Sequence, residues 1–242
     1  MMREVMTRYG RHNIGFFWLF AEPMIFTLGV TGLWTLAGMS HGSQLPITAF
    51  ALTGYSTVLL WRNMPARCIL AISANLPLMY HRNVRVIDIL LSRIGLEVCG
   101  ASMSFIILTL IFVGGEWIKP PEDVLGIVAA WLMTAWFGAA LALFLGSMSE
   151  RTELIDKIWH PASYLMFPLS GAAFLVDSLP RGLQAFVLWI PTVHCTELLR
   201  ASFFGTIIVP HYDLSYLFAF NAVLTILGLA AERRVSREIV LE

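Results

Sequence analysis

Long apolar runs separated by short polar interruptions dominate the chain. A helix rises 1.5 Å per residue, so about 20 apolar residues cross the ~30 Å hydrocarbon layer of a bilayer. Runs of this kind predict spans over roughly 17–38, 47–74, 89–113, 122–148, 158–177 and 213–231. Residues 1–13 read differently. Met2, Val5, Met6 and Tyr9 recur at helical spacing, opposite Arg3, Glu4, Thr7, Arg8 and Arg11. Such a helix lies along the membrane surface with its arginines at the headgroups. Gly10 and Gly15 then loosen the chain ahead of Phe16, Phe17 and Trp18, an aromatic interface anchor.

Two stretches break the pattern of spans. The first, NLPLMYHRNVRVID at 75–88, interrupts the apolar runs with Pro77, His81, Arg82, Arg85 and Asp88. Its apolar residues Leu76, Met79, Tyr80 and Val84 are spaced as one helical face. It is too short and too polar to cross a bilayer, and a basic amphipathic helix between two spans belongs on the cytoplasmic side. Its exposed face is either a polar cap on the bundle or a knob that a soluble partner grips. The second stretch covers 178–212. GLQAFVLWI is stopped by Pro191, and VHCTELLRASFFGTIIV is partly polar. Neither piece spans the hydrocarbon, so the pattern predicts a re-entrant helical hairpin at about 182–206. Irregular backbone at that depth survives only against protein or a water-filled cavity.

Composition supports a polytopic membrane protein: 57% of the 242 residues are hydrophobic and 13% charged, half the charge usual in soluble domains. The two lysines, Lys119 and Lys157, sit in no GxxxxGK[ST] phosphate loop, so the chain carries no P-loop ATPase. Cys68, Cys99 and Cys195 form no CxxC pair, which indicates neither a disulfide frame nor a zinc site. The first apolar run lacks a small-x-small cleavage site and reads as an uncleaved span. With both termini in the cytoplasm, 13 basic residues fall on or toward the inner half, and Lys119, Arg181 and Arg200 fall outside. The positive-inside rule selects that orientation.

Charges inside spans pair with one another or line a wet path. Counted from the predicted span ends, Glu22 and Arg67 share one depth, and Arg62 and Glu97 share a deeper one. These pairs either hold the bundle together, with arginines free to snorkel, or form a cationic entry for an anionic substrate. Phe17, Trp18, Tyr164 and Phe167 are further candidates for such a path, because flat rings suit the C–H faces of sugars. His160, His194 and Glu197 are residue types that a metal site uses, with His194 and Glu197 at i, i+3 spacing, but no ligand repeat supports one. No catalytic constellation can be assembled from spacing.

The order of features is more specific than any one of them. REVMTRYGRHNIGFFWLFAEP at 3–23 is followed by SANLPLMYHRNV, SERTELIDK, FPLSGAAF at 167–174, LP at 179–180 and IPTVHCTELLRASFFG at 190–205. Over nearly its whole length the chain resembles the membrane subunit of type-2 ABC exporters, specifically the capsular-polysaccharide and O-antigen export permeases of Gram-negative bacteria. The resemblance implies an all-α integral membrane protein of the bacterial inner membrane. It would have six transmembrane helices in one domain, an interface helix at about Met2–Arg11 and a re-entrant hairpin before the last span. It implies a homodimer served by two nucleotide-binding subunits that carry the ATP and Mg. They would dock on a cytoplasmic coupling helix at about Leu76–Val84, taking in Leu76, Pro77, Leu78, Met79, Tyr80, His81 and Arg82. Periplasmic co-polymerase and outer-membrane export proteins would receive a lipid-linked polysaccharide. The partner-gripping reading of 75–88 becomes the favoured one.

Two alternatives remain. The same architecture serves drug or free-lipid export, for which a dry apolar pocket is expected instead of a long aromatic, hydrated one. An intramembrane enzyme, such as a lipid-linked sugar transferase, needs paired carboxylates or a metal cluster near one face, and the sequence offers neither. Nothing in the charge pattern points to nucleic acid.

Overall fold

The computed structural model describes residues 14–37, 45–81 and 84–241. The expected interface helix, with Arg3, Arg8, Tyr9 and Arg11, lies outside the described residues. Among the described residues the chain is all-helical, without strands. The helices are α1 (Ile14–Leu36), α2 (Ile47–Cys68), α3 (Leu76–His81), α4 (Val86–Gly114), α5 (Val124–Ser149), α6 (Leu154–Leu169), α7 (Arg181–Val187), α8 (Pro191–Phe204) and α9 (Leu214–Leu241). Among the described residues three segments, Val86–Gly114, Val124–Ser149 and Leu214–Glu238, are long and apolar enough to cross a membrane.

Helix α5 is the axis of the bundle, packed against α2, α8 and α9. Small residues let the backbones close in, as membrane helices require where lipid offers no hydrophobic drive. An ideal Cβ on Gly138 would fall 2.9 Å from the Trp61 Cα, and one on Gly146 would fall 2.9 Å from the Cys68 Cβ. Gly228 of α9 meets Leu143 in the same way, at 3.0 Å. Polar side chains inside the bundle are satisfied locally. Thr27 and Thr31 donate to the carbonyls of Pro23 and Thr27, and Thr53 and Thr57 donate to those of Ala49 and Thr53. A hydroxyl that bonds the carbonyl four residues back needs no partner from lipid.

The helix ends are set by local chemistry. Asp123 caps α5 by accepting the Gly126 N–H at 2.9 Å, and Asp88 reaches back from the first turn of α4 to the Arg85 N–H at 3.0 Å. The second predicted span corresponds to a helix that stops at Cys68, short of residue 74. Leu70 adopts φ +55° and turns the chain out of line. The fifth corresponds to Leu154–Leu169, not 158–177. Pro168 and Gly171, at φ +82°, precede an irregular stretch up to the 3-10 turn Val176–Ser178.

The basic amphipathic segment is also shorter than its periodicity suggests. A 3-10 turn at Ser73–Asn75 leads into the six residues of α3. Val84 lies beyond that helix, so it is not on the α3 face expected for it.

Candidate functional site

Three groups of residues carry the chemistry. The first surrounds α3, at the end of the bundle where α2 stops and α4 and α6 begin. Met79 is half-buried against the main core, Leu76 is half-buried and Pro77 is exposed. The side chains of Leu78, Tyr80 and His81 lie outside the described residues, as does Arg82 entirely. The apolar face of α3 therefore docks its near side on the bundle, as an amphipathic helix at a boundary does.

The second group starts at that end, with Arg67 one residue before the end of α2, and runs inward along α2. Arg67 Nη2 pairs with Glu22 Oε1 of α1 at 3.4 Å, and Arg67 Nε pairs with Glu97 Oε1 of α4 at 3.5 Å. The Glu22–Arg67 pairing expected from depth is thus present. The second expected pair is corrected: Glu97 is bridged by Arg67, while Arg62 sets its guanidinium 5.4 Å from the ring centre of Tyr164 on α6. The cause is register. Arg93 donates to the Arg67 carbonyl at 2.6 Å, which holds the end of α2 against the first turns of α4. Helical side chains tilt toward the N-terminus, so Arg67 reaches one turn deeper, where Glu97 sits. Tyr55 stacks edge-on against Phe167 at 5.7 Å. Tyr55, Arg62, Tyr164 and Phe167 thus form an aromatic and cationic strip between α2 and α6, and Tyr164 is 67% exposed. Trp18 is exposed on α1, apart from this strip in the contacts described, and the Phe17 side chain lies outside the described residues.

The third group is one face of α8 that spacing alone did not explain. Arg200 is fully buried and donates to the carbonyls of Gly171, Ala172 and Phe174 at 2.7, 2.7 and 2.6 Å. Its guanidinium lies 3.9 Å from the centre of the Phe50 ring. Glu197 accepts the N–H groups of Val176 and His211, each at 3.2 Å. His194 accepts the Asp213 N–H at Nδ1, at 2.9 Å, which leaves the proton on Nε2 to be donated to the Leu188 carbonyl at 2.8 Å. With both ring nitrogens engaged by backbone, His194 is not placed as a metal ligand. His160 stands apart on α6, exposed, 3.9 Å from Asp156. These three side chains bond the non-helical backbone of Gly171, Ala172, Phe174, Val176, His211 and Asp213 and the end of α7 at Leu188. The buried part of that backbone, at 171–176, needs such partners.

Gly54 completes this clamp. A Cβ there would fall 2.6 Å from the Ala172 carbonyl oxygen and 2.7 Å from Arg200 Nη2. Backbone on one side and a locked guanidinium on the other leave nothing free to yield. Gly54→Ala is expected to destabilise the protein by roughly 1–3 kcal/mol, the usual cost of overpacking. Thermal unfolding in detergent measures it, and a melting point at or above that of the unsubstituted protein would contradict this close approach.

The arrangement is that of a helical membrane protein with a shared ion-pair cluster and no assembled catalytic centre among the described residues. The chain belongs to the ABC-2 type transporter family, whose sequence model matches residues 1–204. Its curated relatives include the capsule polysaccharide export inner-membrane protein CtrC of Neisseria meningitidis, 43% identical over 98% of this chain and 89% of its own length. The protein of the same description from Haemophilus influenzae, BexB, is 41% identical over the same shares. The polysialic acid transport protein KpsM of Escherichia coli is 26% identical over 96% of this chain and 90% of its own.

Proposed function

We propose that this chain is the membrane subunit of an ATP-driven exporter that carries lipid-linked capsular polysaccharide from the cytoplasm across the bacterial inner membrane. The observation that carries the reading beyond the family is the strip of Tyr55, Arg62, Tyr164 and Phe167 between α2 and α6, with Arg67 further along α2 in an ion-pair cluster of its own. Aromatic faces stack on sugar rings, and a guanidinium receives phosphate or carboxylate through two parallel hydrogen bonds. Arg67 is 38% exposed in the isolated subunit. A charged side chain presented to lipid costs about 2.5–3.5 kcal/mol on insertion scales. That cost favours a placement against a second subunit or a hydrated path.

In this reading the subunit has six spans with both termini in the cytoplasm, and the α7–α8 unit enters and leaves the membrane by the periplasmic face. Two copies assemble, with the path between them. Two nucleotide-binding subunits, holding ATP and Mg, dock on α3, and periplasmic co-polymerase and outer-membrane proteins continue the route. Export of O-antigen, a drug or a lipid by the same architecture is the alternative. The apolar groove of about 330 Å³ between α4 and α5, lined by Phe105, Ile106, Leu110, Val128 and Trp131, is the observation that favours a lipid.

The test is made in cells lacking the subunit. Polysaccharide should accumulate inside and disappear from the surface, and the restored chain should reverse both. Cysteines at 78–84 should crosslink to the ATPase subunit from the cytoplasm, while thiol labelling at both ends of 182–206 should come from the periplasm. The purified subunit alone should hydrolyse no ATP. Turnover in a preparation free of the partner, or surface polysaccharide without this chain, would sink the reading.

A further inference from the structure

The joint between α2 and α3 has an unusual way of satisfying its backbone. Helix α2 stops at Cys68, and Leu70 turns into the left-handed region at φ +55°. That turn removes the helical acceptors for the next N–H groups. The Leu70 N–H goes to Ser149 Oγ at 3.1 Å, and the N–H groups of Ile72 and Ser73 both go to Glu150 Oε1 at 3.2 Å. Ser149 and Glu150 lie far along the sequence, where α5 gives way to α6. The next residue, Arg151, forms a two-point ion pair with Glu238 of α9. The joint ahead of α3 is therefore held by side chains of the α5–α6 corner, which α9 in turn holds through Arg151.

We propose that Glu150 is a positioning residue that joins movement of α3 to the α5–α6 corner. This rests on the reading of α3 as the docking element for the ATPase subunit. Ile72 is fully buried, so its N–H has no access to bulk water and depends on that carboxylate. Any displacement of α3 either breaks two charge-assisted hydrogen bonds or drags the end of α5 and the start of α6 with it. Helix α6 carries Tyr164 and Phe167, so the link runs from the docked motor to the aromatic strip without passing through α2. Glu150 touches no substrate; its part is to set where α3 stands and what moves with it.

The discriminating comparison is between charge and reach. Glu150→Gln keeps the arm and an acceptor oxygen but loses the charge. Glu150→Asp keeps the charge but shortens the arm by a methylene. Glu150→Ala loses both. In the full exporter complex, hydrogen exchange at Ile72 and Ser73 should rise about tenfold or more in Glu150→Ala, the loss of a bond to a charged acceptor. Export in cells should fall about tenfold while ATPase co-purification and ATP turnover stay near the original level. Glu150→Gln should lie nearer the original protein than Glu150→Asp on both exchange and export. A purely electrostatic role reverses that order, and a surface role moves neither reading. Exchange or export unchanged in Glu150→Ala, or Asp outperforming Gln, overturns the proposal. If α3 cysteines in the original protein fail to reach the ATPase subunit, it is the docking reading that fails, and that result needs no change at Glu150.

Discussion

Arg200→Met is expected to leave little folded protein in the membrane. The substitution removes the donors of three carbonyls, those of Gly171, Ala172 and Phe174, and the cation lying over Phe50. An orphaned buried acceptor costs about 1–3 kcal/mol, and a desolvated cation–π contact adds ~2 kcal/mol. Against this stands relief from burying a guanidinium, which is itself costly. Removing one partner from a buried charged network usually leaves a net loss of about 3–5 kcal/mol. Total stabilities of only about 5–15 kcal/mol make that loss large. For a chain of this size it corresponds to a fall in melting temperature of roughly 6–20 °C. Arg200→Lys should fall between, because an ammonium keeps the charge and donors but not the planar fork. Thermal unfolding in detergent and abundance in membranes check both. Gly54 faces the same guanidinium, so Gly54→Ala and Arg200→Met together should cost less than their sum. Full additivity, or a melting point within about 2 °C of the original for Arg200→Met, would show that the clamp contributes little.

The helical class and the short basic element at 75–88 were legible because both rest on local periodicity. What escaped the sequence was set by distant partners. Apolar residues Leu70, Ala71 and Ile72 extend the pattern of α2 smoothly, yet the helix ends at Cys68. Its turn is held by Ser149 and Glu150, which no window around residue 70 contains. Depth counted from residue 74 pairs Arg62 with Glu97, whereas in the structure it is Arg67, one residue before the end of α2, that reaches Glu97. On α8 the i, i+3 spacing of His194 and Glu197 was visible, while Arg200, three residues further on, stood out only as a basic residue on the outer side. The purpose of these side chains was not visible, because the groups they bind are backbone carbonyls and N–H groups that leave no side-chain signature. Pro168 and Gly171 are the local marks of a break there, with Gly171 at φ +82°.

Arg67→Ala is expected to damage export and abundance more than Glu22→Gln or Glu97→Gln. One guanidinium serves two carboxylates, so its loss takes a shared cation from both acids at once. Glu97 is only 8% exposed, while Arg67 and Glu22 are about a third exposed, at 38% and 35%. The exposed arm is screened and contributes in the ~0–1 kcal/mol range of surface pairs, and the buried arm contributes more. Neutralising the buried acid should therefore repair most of the defect. Arg67→Ala with Glu97→Gln is expected to export better than Arg67→Ala alone, with a coupling of about 0.5–3 kcal/mol between contacting groups. Arg67→Ala with Glu22→Gln should recover less. Arg62 should behave differently, because its described contact is the Tyr164 ring and not a carboxylate. Arg62→Lys should insert and export less, since an ammonium stacks and forks poorly, and Arg62→Ala should export least. Changing Glu97 as well should restore nothing to Arg62→Ala. Strong recovery in that pair, with none in the Arg67 pair, would exchange the roles of the two arginines. It would make Arg62 the residue that holds the bundle and Arg67 the one that meets the substrate.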